Sequence, residues 1–259
     1  MSLSKELYAE ERRQAILRQV NEAGRVVVTE LSRQLGVSEV TIRADLQALA
    51  DQNLVVRTHG GAIPGSGSGL DLALTRRQQQ QIAEKNRIGR AAAGWVSDGD
   101  AVFLDSSSSV LAMLPHLKSR RQLTVITNSL PVAQDLCTAV GLKVVMPGGT
   151  LQPETASLIG VSGLEPLRHL NIQKGFFGAH GLSVAEGLTD VSAEDAEFKR
   201  QIVAMCRQKV ALLDATKWGR VGLAAFAAVT DFDAVLTDTA APAELVQQVQ
   251  NLNVDVVLL

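Results

Sequence analysis

Apolar positions over residues 7–51 recur at helical spacing and predict three helices. Leu7, Ile16, Leu17 and Val20 form one side of a helix over about 7–23, which Gly24 ends. Thr29 is placed to N-cap a short second helix carrying Leu31 and Leu35. Gly36 turns the chain, and Ser38 is placed to N-cap a third helix reaching about 51. Its Ile42, Leu46 and Leu49 lie one turn apart and face inward. After Asn53, Leu54-Val55-Val56-Arg57 predicts a strand, with His59-Gly60-Gly61 as the return of a small wing.

Past Pro64-Gly65-Ser66-Gly67-Ser68-Gly69, a run with the backbone freedom of a linker, the periodicity changes. Short, nearly continuous apolar runs occur at Ala101–Leu104, Leu123–Thr127, Lys143–Met146, Gly175–Gly178, Lys209–Leu213, Ala234–Thr237 and Val254–Leu258. Helical segments at about 83–97, 108–118, 131–140, 193–207 and 242–251 separate them. That alternation predicts an α/β unit whose mostly parallel sheet is covered on both faces.

Composition narrows the classes. Of 259 residues, 46% are hydrophobic and 20% charged, enough apolar mass for a large core and too much for wholesale disorder. Aromatic residues make up only 3%, which disfavours reading single-stranded nucleic acid by stacked rings. Cys137 and Cys206 each fall inside a predicted helix without a second ligand nearby, which points away from a disulfide framework or a metal site. The opening MSLSKELYAEERRQ lacks an apolar signal segment and no apolar run is long enough for a membrane span, so a cytoplasmic location is expected. Net charge is −2, and within residues 1–62 Lys5 and seven arginines meet eight acids. Any nucleic-acid contact must therefore rest on a local face.

The third helix supplies such a face. Leu35-Gly36-Val37-Ser38 between two short helices is the turn of a helix-turn-helix, whose second helix enters the major groove. With Ile42, Leu46 and Leu49 inward, Val40, Ala44 and Gln47 point outward, flanked by Thr41 and Arg43. Gln47 can pair with an adenine edge, Arg43 can reach guanine or phosphate, and Val40 can touch a thymine methyl. Ser38 and Thr41 offer hydroxyls to phosphates at the helix N-terminus, and Arg57 and His59 on the wing can touch adjacent backbone. The competing reading is a three-helix unit that binds another protein. The stretches ERRQAIL, VTELSRQLGVSEVTIRADLQAL and VVRTHGGA resemble the N-terminal domain of the DeoR family of bacterial transcriptional regulators. The family commonly reads T-I-R-R-D-L where this chain has Thr41-Ile42-Arg43-Ala44-Asp45-Leu46. The resemblance implies a winged helix-turn-helix that binds double-stranded operator DNA.

Ligands of open parallel sheets sit beyond the carboxyl ends of the strands. Read in order, those ends are polar. Asp105-Ser106-Ser107-Ser108-Ser109 precedes a helix and offers hydroxyls and amides to an anion. Thr127-Asn128-Ser129 follows, then Pro147-Gly148-Gly149-Thr150, Gly178-Ala179-His180-Gly181 and Asp214-Ala215-Thr216-Lys217. Glu194, Asp195 and Lys199 open a helix that can edge the same crevice. Taken together these groups suit a small polyhydroxylated phosphate ester. The stretches EKNRIGRAAAGWVSDGDAVFLD, LTVITNS, MPGGT, FFGAHG, SAEDAEFKR and LLDATKW resemble the DeoR effector domain, so the likeness spans nearly the whole chain. It implies a fold like ribose-5-phosphate isomerase and a phosphorylated sugar or related metabolite as effector. Two positions depart: serines 106–109 replace the family's x-Gly-Thr-Thr, and Gln173, followed by Lys174, replaces an Asp.

An isomerase needs a general base beside an α-proton. Glu194, Asp195, Asp214 and His180 qualify by type only, and the isomerase Asp-Gly-x-Asp-Glu signature is absent. The expectation is therefore a non-enzymatic regulator needing no cofactor or metal, a repressor of a carbohydrate operon that works as a homodimer or homotetramer. Its parts are a winged helix-turn-helix over 1–62, a linker over 63–75 and an α/β effector and oligomerisation domain over 76–259. Two alternatives stand beside it: a sugar-phosphate isomerase or deaminase fused to a DNA-binding domain, and a constitutive DNA binder whose sensor has lost its ligand.

Overall fold

The computed structural model describes residues 9–23, 26–51, 54–58, 60–64, 74–153 and 155–259. Leu7, Gly24, Asn53, His59 and the run 65–69 lie outside the described residues. Two compact units divide between Asp71 and Leu72.

The first unit contains α1 (Ala9–Ala23), β1 (Val26–Val27), α2 (Val28–Leu35), α3 (Glu39–Asp51), β2 (Val55–Thr58) and β3 (Gly61–Pro64). Ile16 and Val20 of α1, Leu31 of α2 and Ile42, Leu46 and Leu49 of α3 share one buried core. Ser38 caps α3, its Oγ accepting from the Thr41 amide at 3.1 Å. Thr29 does not cap α2. The helix starts one residue earlier, and its first amide, at Val28, donates to the Gly60 carbonyl at 2.9 Å. The reason is β1, a two-residue strand antiparallel to β3 that runs directly into α2. The crossing is tight: a Cβ on Gly61 would lie 1.8 Å from the Val26 carbonyl oxygen. Asp45, buried on α3, holds Arg12 at 2.5 Å and Arg13 at 3.0 Å, tying the third helix to the first.

The second unit begins with α4 (Leu74–Gln79), α5 (Ile82–Ala93), β4 (Ala101–Leu104), α6 (Ser108–Leu111), α7 (Leu114–Leu117) and β5 (Leu123–Thr127). It continues through α8 (Leu130–Leu136), β6 (Leu142–Val145), β7 (Thr150–Gln152), β8 (Ser157–Ile159), β9 (Ile172–Phe177), β10 (Gly181–Ser183) and β11 (Gly187–Asp190). The last elements are α9 (Ala193–Met205), β12 (Cys206–Leu212), β13 (Ala224–Ala227), β14 (Ala234–Thr237), α10 (Ala243–Gln250) and β15 (Asp255–Leu258). Seven strands form a parallel sheet in the order β15-β14-β12-β9-β4-β5-β6. Strand alternation splits the apolar side chains between two faces. Val102, Leu104, Val125, Phe176 and Leu212 pack with Ile88 of α5, Met113, Leu117 and Val132. Phe103, Ile126, Phe177 and Val235 pack with Phe198 and Ile202 of α9 and Val249 of α10.

Several features lie outside the sequence expectation, helix α4 among them. A small antiparallel sheet, β10-β11-β13, and a β7-β8 hairpin sit beside the main sheet. The segment predicted as one helix at 108–118 is two short ones. Cys206 is not helical. It opens β12 directly after α9, its amide still donating to the Ile202 and Val203 carbonyls. Its buried thiol is pushed up to about 12 by desolvation, which makes it inert.

Candidate functional site

In the first unit, the outward face of α3 carries Val40 (76% exposed), Arg43, Ala44 and Gln47, with Thr41 half-buried at its edge. Ser38 and Thr41 hydroxyls stand 2.9 Å apart at the helix start. Arg43 reaches back to Glu39 at 3.3 Å on an exposed turn, a contact that water screens and DNA can displace. Gln47 is oriented from both sides: Arg57 of β2 donates to its Oε1 at 2.7 Å, and its Nε2 donates to Asp51 at 2.7 Å. The strand β2 and helix α3 are thus joined through the Gln47 side chain. His59 falls outside the described residues.

In the second unit, chain order reverses between β4 and β9. Strands β4, β5 and β6 step outward on one side, and β9, β12, β14 and β15 on the other. Such a switch point leaves a crevice at the carboxyl edge, because the connections depart to opposite faces. Asp105 ends β4 at that point. Its Oδ1 accepts from the Ser107 amide at 2.8 Å, and its Oδ2 accepts from the Gly178 amide at the end of β9 at 2.7 Å. Lys199 of α9 stands 3.2 Å from Asp105, donates to Asp190 at 2.8 Å and to the Gly178 carbonyl at 2.9 Å, and lies over the Phe226 ring. Burial alone would depress this ammonium, but Asp190 and Asp105 overcome it and hold it well above the usual lysine range. With three protein acceptors its donors are used, so Lys199 positions the loops rather than presenting free hydrogens.

Ser106 to Ser109 are all buried, and the Ser107 Oγ caps α6 by accepting from the Val110 amide at 3.3 Å. Gly178 lies hard against them: a Cβ there would come 2.4 Å from the Ser107 Cβ. Asn128, at the end of β5, donates from Nδ2 to the Leu158 carbonyl at 3.1 Å, while its buried Oδ1 has no hydrogen-bond partner. On the other side of the junction, Asp214 closes the Ala215–Lys217 turn through the Thr216 amide, which brings Lys217 to the end of β12.

Other predicted residues stand further out. Gly148 and Gly149 follow β6, the edge strand, where they allow a close backbone crossing. A Cβ on Gly149 would meet the Ile159 carbonyl at 2.4 Å, and one on Gly163 would meet that of Gly148 at 2.1 Å. The His180 Nε2 lies 3.1 Å from an Arg220 nitrogen, and its backbone amide pairs with the Thr189 carbonyl. Glu194 is exposed and accepts from the Ser192 hydroxyl at 3.2 Å. Asp195 is buried on the same turn; desolvation raises its proton affinity although Lys199 opposes this. At the amino edge of the seam, Gln173 accepts from the Ala101 amide and Lys174 binds Asp100 at 2.6 Å.

One residue near the carboxyl edge was not among the predicted ones. Lys85 of α5 is only 5% exposed and donates to the Arg77 carbonyl at 2.5 Å and the Gln80 carbonyl at 2.7 Å. In the sequence it is one charge among several in EKNRIGR, with no mark of burial. Among the described residues no set of His, Cys, Asp and Glu is arranged to hold a metal, and no helix is long and apolar enough to cross a membrane.

A helix-turn-helix unit and a doubly covered parallel sheet with a polar switch point, carried on one chain, define a DNA-binding transcriptional regulator. Two family models fit the chain: the DeoR-like helix-turn-helix domain over residues 12–65 and the DeoR C terminal sensor domain over 80–239. The chain belongs to the DeoR family. It is 35% identical to the HTH-type transcriptional repressor GlcR of Bacillus subtilis, covering 90% of this chain and 89% of that protein. Against the glycerol-3-phosphate regulon repressor of Escherichia coli the identity is 30%, over 92% and 94%. A solved ribose 5-phosphate isomerase from Plasmodium falciparum aligns over 54% of each chain with 13% identity and a TM-score of 0.40. The curated relatives are named as regulators, and this chain is a regulator rather than an enzyme.

Proposed function

We propose that the chain is a cytoplasmic repressor of a carbohydrate-utilisation operon, released from its operator by a phosphorylated sugar or related metabolite. Residues 1–62 would read DNA through Val40, Arg43, Ala44 and Gln47, with Ser38, Thr41, Arg57 and His59 on phosphates. Residues 76–259 would bind the effector and carry oligomer contacts, joined to the reading unit by the linker 63–75. Paired half-sites call for a homodimer or homotetramer. Effector binding works by population shift: the metabolite favours an arrangement of reading units that mismatches the half-site spacing.

The observation that carries the effector site is the bracket formed by Asp105, which holds the serine loop and the end of β9 together at the switch point. Ser106, Ser108 and Ser109, Asn128 and Lys217 then face one bound molecule in this reading, while Lys199 maintains the bracket. The test is a thermal-shift screen of the full chain against phosphorylated sugars and polyols, each with its unphosphorylated counterpart. A ligand that binds only the folded state raises the melting temperature. The expected result is a rise with a phosphate ester alone, and weaker retention of operator DNA with the same compound. Stabilisation by unphosphorylated compounds only would overturn the phosphate assignment.

A further inference from the structure

Asp51 ends α3 in a place that calls for a reason. It lies four residues beyond Gln47 and continues the outward stripe of Val40, Ala44 and Gln47. A carboxylate in the last turn opposes the helix dipole, and on a face that reads DNA it also opposes the phosphates. That turn holds no basic residue to offset it. What the Asp51 side chain does is accept from the Gln47 Nε2 at 2.7 Å. Arg57 approaches the same amide from the strand. The Leu54 amide donates to the Leu49 carbonyl at 2.8 Å, so β2 starts tied to α3 and packs against it. Val55 is buried in the shared core, and Arg57, two residues on, points to the same side of the strand. There its guanidinium donates to the Gln47 Oε1 at 2.7 Å.

We infer that Asp51 and Arg57 are positioning residues for base selection: together they lock the Gln47 amide in the orientation that accepts adenine and rejects guanine. The inference rests on the operator reading above and gives it a base. A carboxylate only accepts and a guanidinium only donates, so the two contacts fix which end of the amide is oxygen. A half-turn of the amide would set N–H against N–H and oxygen against oxygen. With both contacts made, one Nε2 hydrogen and one Oε1 lone pair are left side by side. Adenine presents the matching pair in the major groove, N7 accepting and the N6 amino group donating. Guanine presents two acceptors, N7 and O6, which an unrestrained glutamine can meet with its two amino hydrogens. The locked side chain has one such hydrogen left and turns a lone pair toward the other acceptor. Cytosine and thymine offer one polar partner each. Gln47 takes one of the five guanidinium donors, so Arg57 can hold the amide and meet a phosphate at once.

The test uses the full chain and a library of random DNA duplexes. Selection with the unmodified protein gives the bound sequence, and selection with Gln47→Ala marks the base pair whose preference is lost. Fluorescence anisotropy at fixed salt then compares duplexes that differ only at that pair, together with an unrelated duplex. The unmodified chain should favour adenine over guanine there by roughly five- to a hundredfold, the range of one bidentate base contact. Asp51→Asn and Arg57→Met should each lower that ratio about two- to tenfold, the worth of one side-chain hydrogen bond, and the double variant should lower it further. In the Gln47→Ala background Asp51→Asn should leave the ratio unchanged, because it acts through that amide. On the unrelated duplex the two variants should move oppositely. Asp51→Asn removes a negative charge from the DNA face and binds more tightly, while Arg57→Met removes a positive one and binds more weakly. A purely structural role would instead weaken binding to every duplex alike, with a lower melting temperature. That outcome for Asp51→Asn, a preferred base other than adenine, no pair altered by Gln47→Ala, or a ratio unchanged in both variants would each overturn the inference. An unchanged ratio with selection intact leaves the operator reading standing, whereas no enriched sequence from the unmodified protein sinks both.

Discussion

Asp105→Asn tests the bracket with little change in shape. The carboxylate is 1% exposed and receives the Ser107 amide at 2.8 Å, the Gly178 amide at 2.7 Å and the Lys199 ammonium at 3.2 Å. An amide side chain keeps one acceptor and turns the other position into a donor. One buried backbone amide then faces an N–H group, which costs about 1–3 kcal/mol. Breaking a buried ion pair costs about 3–5 kcal/mol, and here the loss should sit low in that range because Lys199 keeps Asp190 at 2.8 Å. The two losses overlap, so about 3–4 kcal/mol is expected, a large share of the roughly 5–15 kcal/mol typical of a whole domain. Urea unfolding followed by tryptophan fluorescence is the appropriate assay, because both tryptophans, Trp95 and Trp218, belong to the second unit. A cycle with Lys199→Met adds the coupling: the double variant should be less destabilised than the sum of the singles by over about 1 kcal/mol. A loss below about 1 kcal/mol for Asp105→Asn, or additivity within about 0.5 kcal/mol, would refute the bracket.

Other outcomes follow from the same geometry. Arg43→Ala should weaken operator binding by about 1–3 kcal/mol in a fluorescence-anisotropy titration without lowering the melting temperature. Arg57→Ala should weaken it as well and relax base preference, since Gln47 loses the donor that fixes its Oε1; unchanged preference in a selection from random duplexes would remove that role. Gly178→Ala forces the Ser107 side chain aside and should cost about 1–3 kcal/mol of stability together with the effector-induced melting shift. For Lys85, the folded state releases its proton near pH 8 and the unfolded state near 10.5. Below pH 8 both states are protonated and folding carries the full penalty. Between 8 and 10.5 the unfolded chain holds more protons, so this residue makes stability rise with pH, by up to about 3 kcal/mol. Unfolding measured at pH 7.5 and 10 should therefore show a wild-type minus Lys85→Met difference that grows with pH, and a flat difference contradicts the desolvation of this ammonium.

The sequence was most legible where one residue pattern has one structural solution. Ile42, Leu46 and Leu49 at helical spacing left only one outward face for α3, and that face is exposed. Ala101–Leu104, Leu123–Thr127 and Ala234–Thr237 were readable to the residue because turn-forming or polar residues bound their apolar runs. Legibility failed where tertiary pairing decides. Two valines make β1 only because β3 lies beside them, and Thr29 could not cap a helix that this strand starts. Cys206 looked helical because no breaker separates α9 from β12. At the sheet, residue types at strand ends marked the polar edge, but Lys199 and Lys85 were indistinguishable as letters. Burial and partners separate them: one faces two carboxylates, and the other only carbonyls at hydrogen-bond distance.

The seam between β4 and β9 also bears on how the sheet forms. Its clasps join residues far apart in the chain: Gln173 with Ala101 at a separation of 72, Gly178 with Asp105 at 73 and Lys174 with Asp100 at 74. The remaining parallel pairs in the sheet join strands much nearer in the chain. Loop-closure entropy rises with the logarithm of the length closed, so β4-β5-β6 and β9-β12-β14-β15 can each assemble locally before the long closure between them. A contact made after the folding transition state governs how fast the protein comes apart rather than how fast it forms. An effector bound as proposed would span the joint that closes last in this order, and its binding should lengthen the lifetime of the folded sheet while leaving its folding rate nearly unchanged.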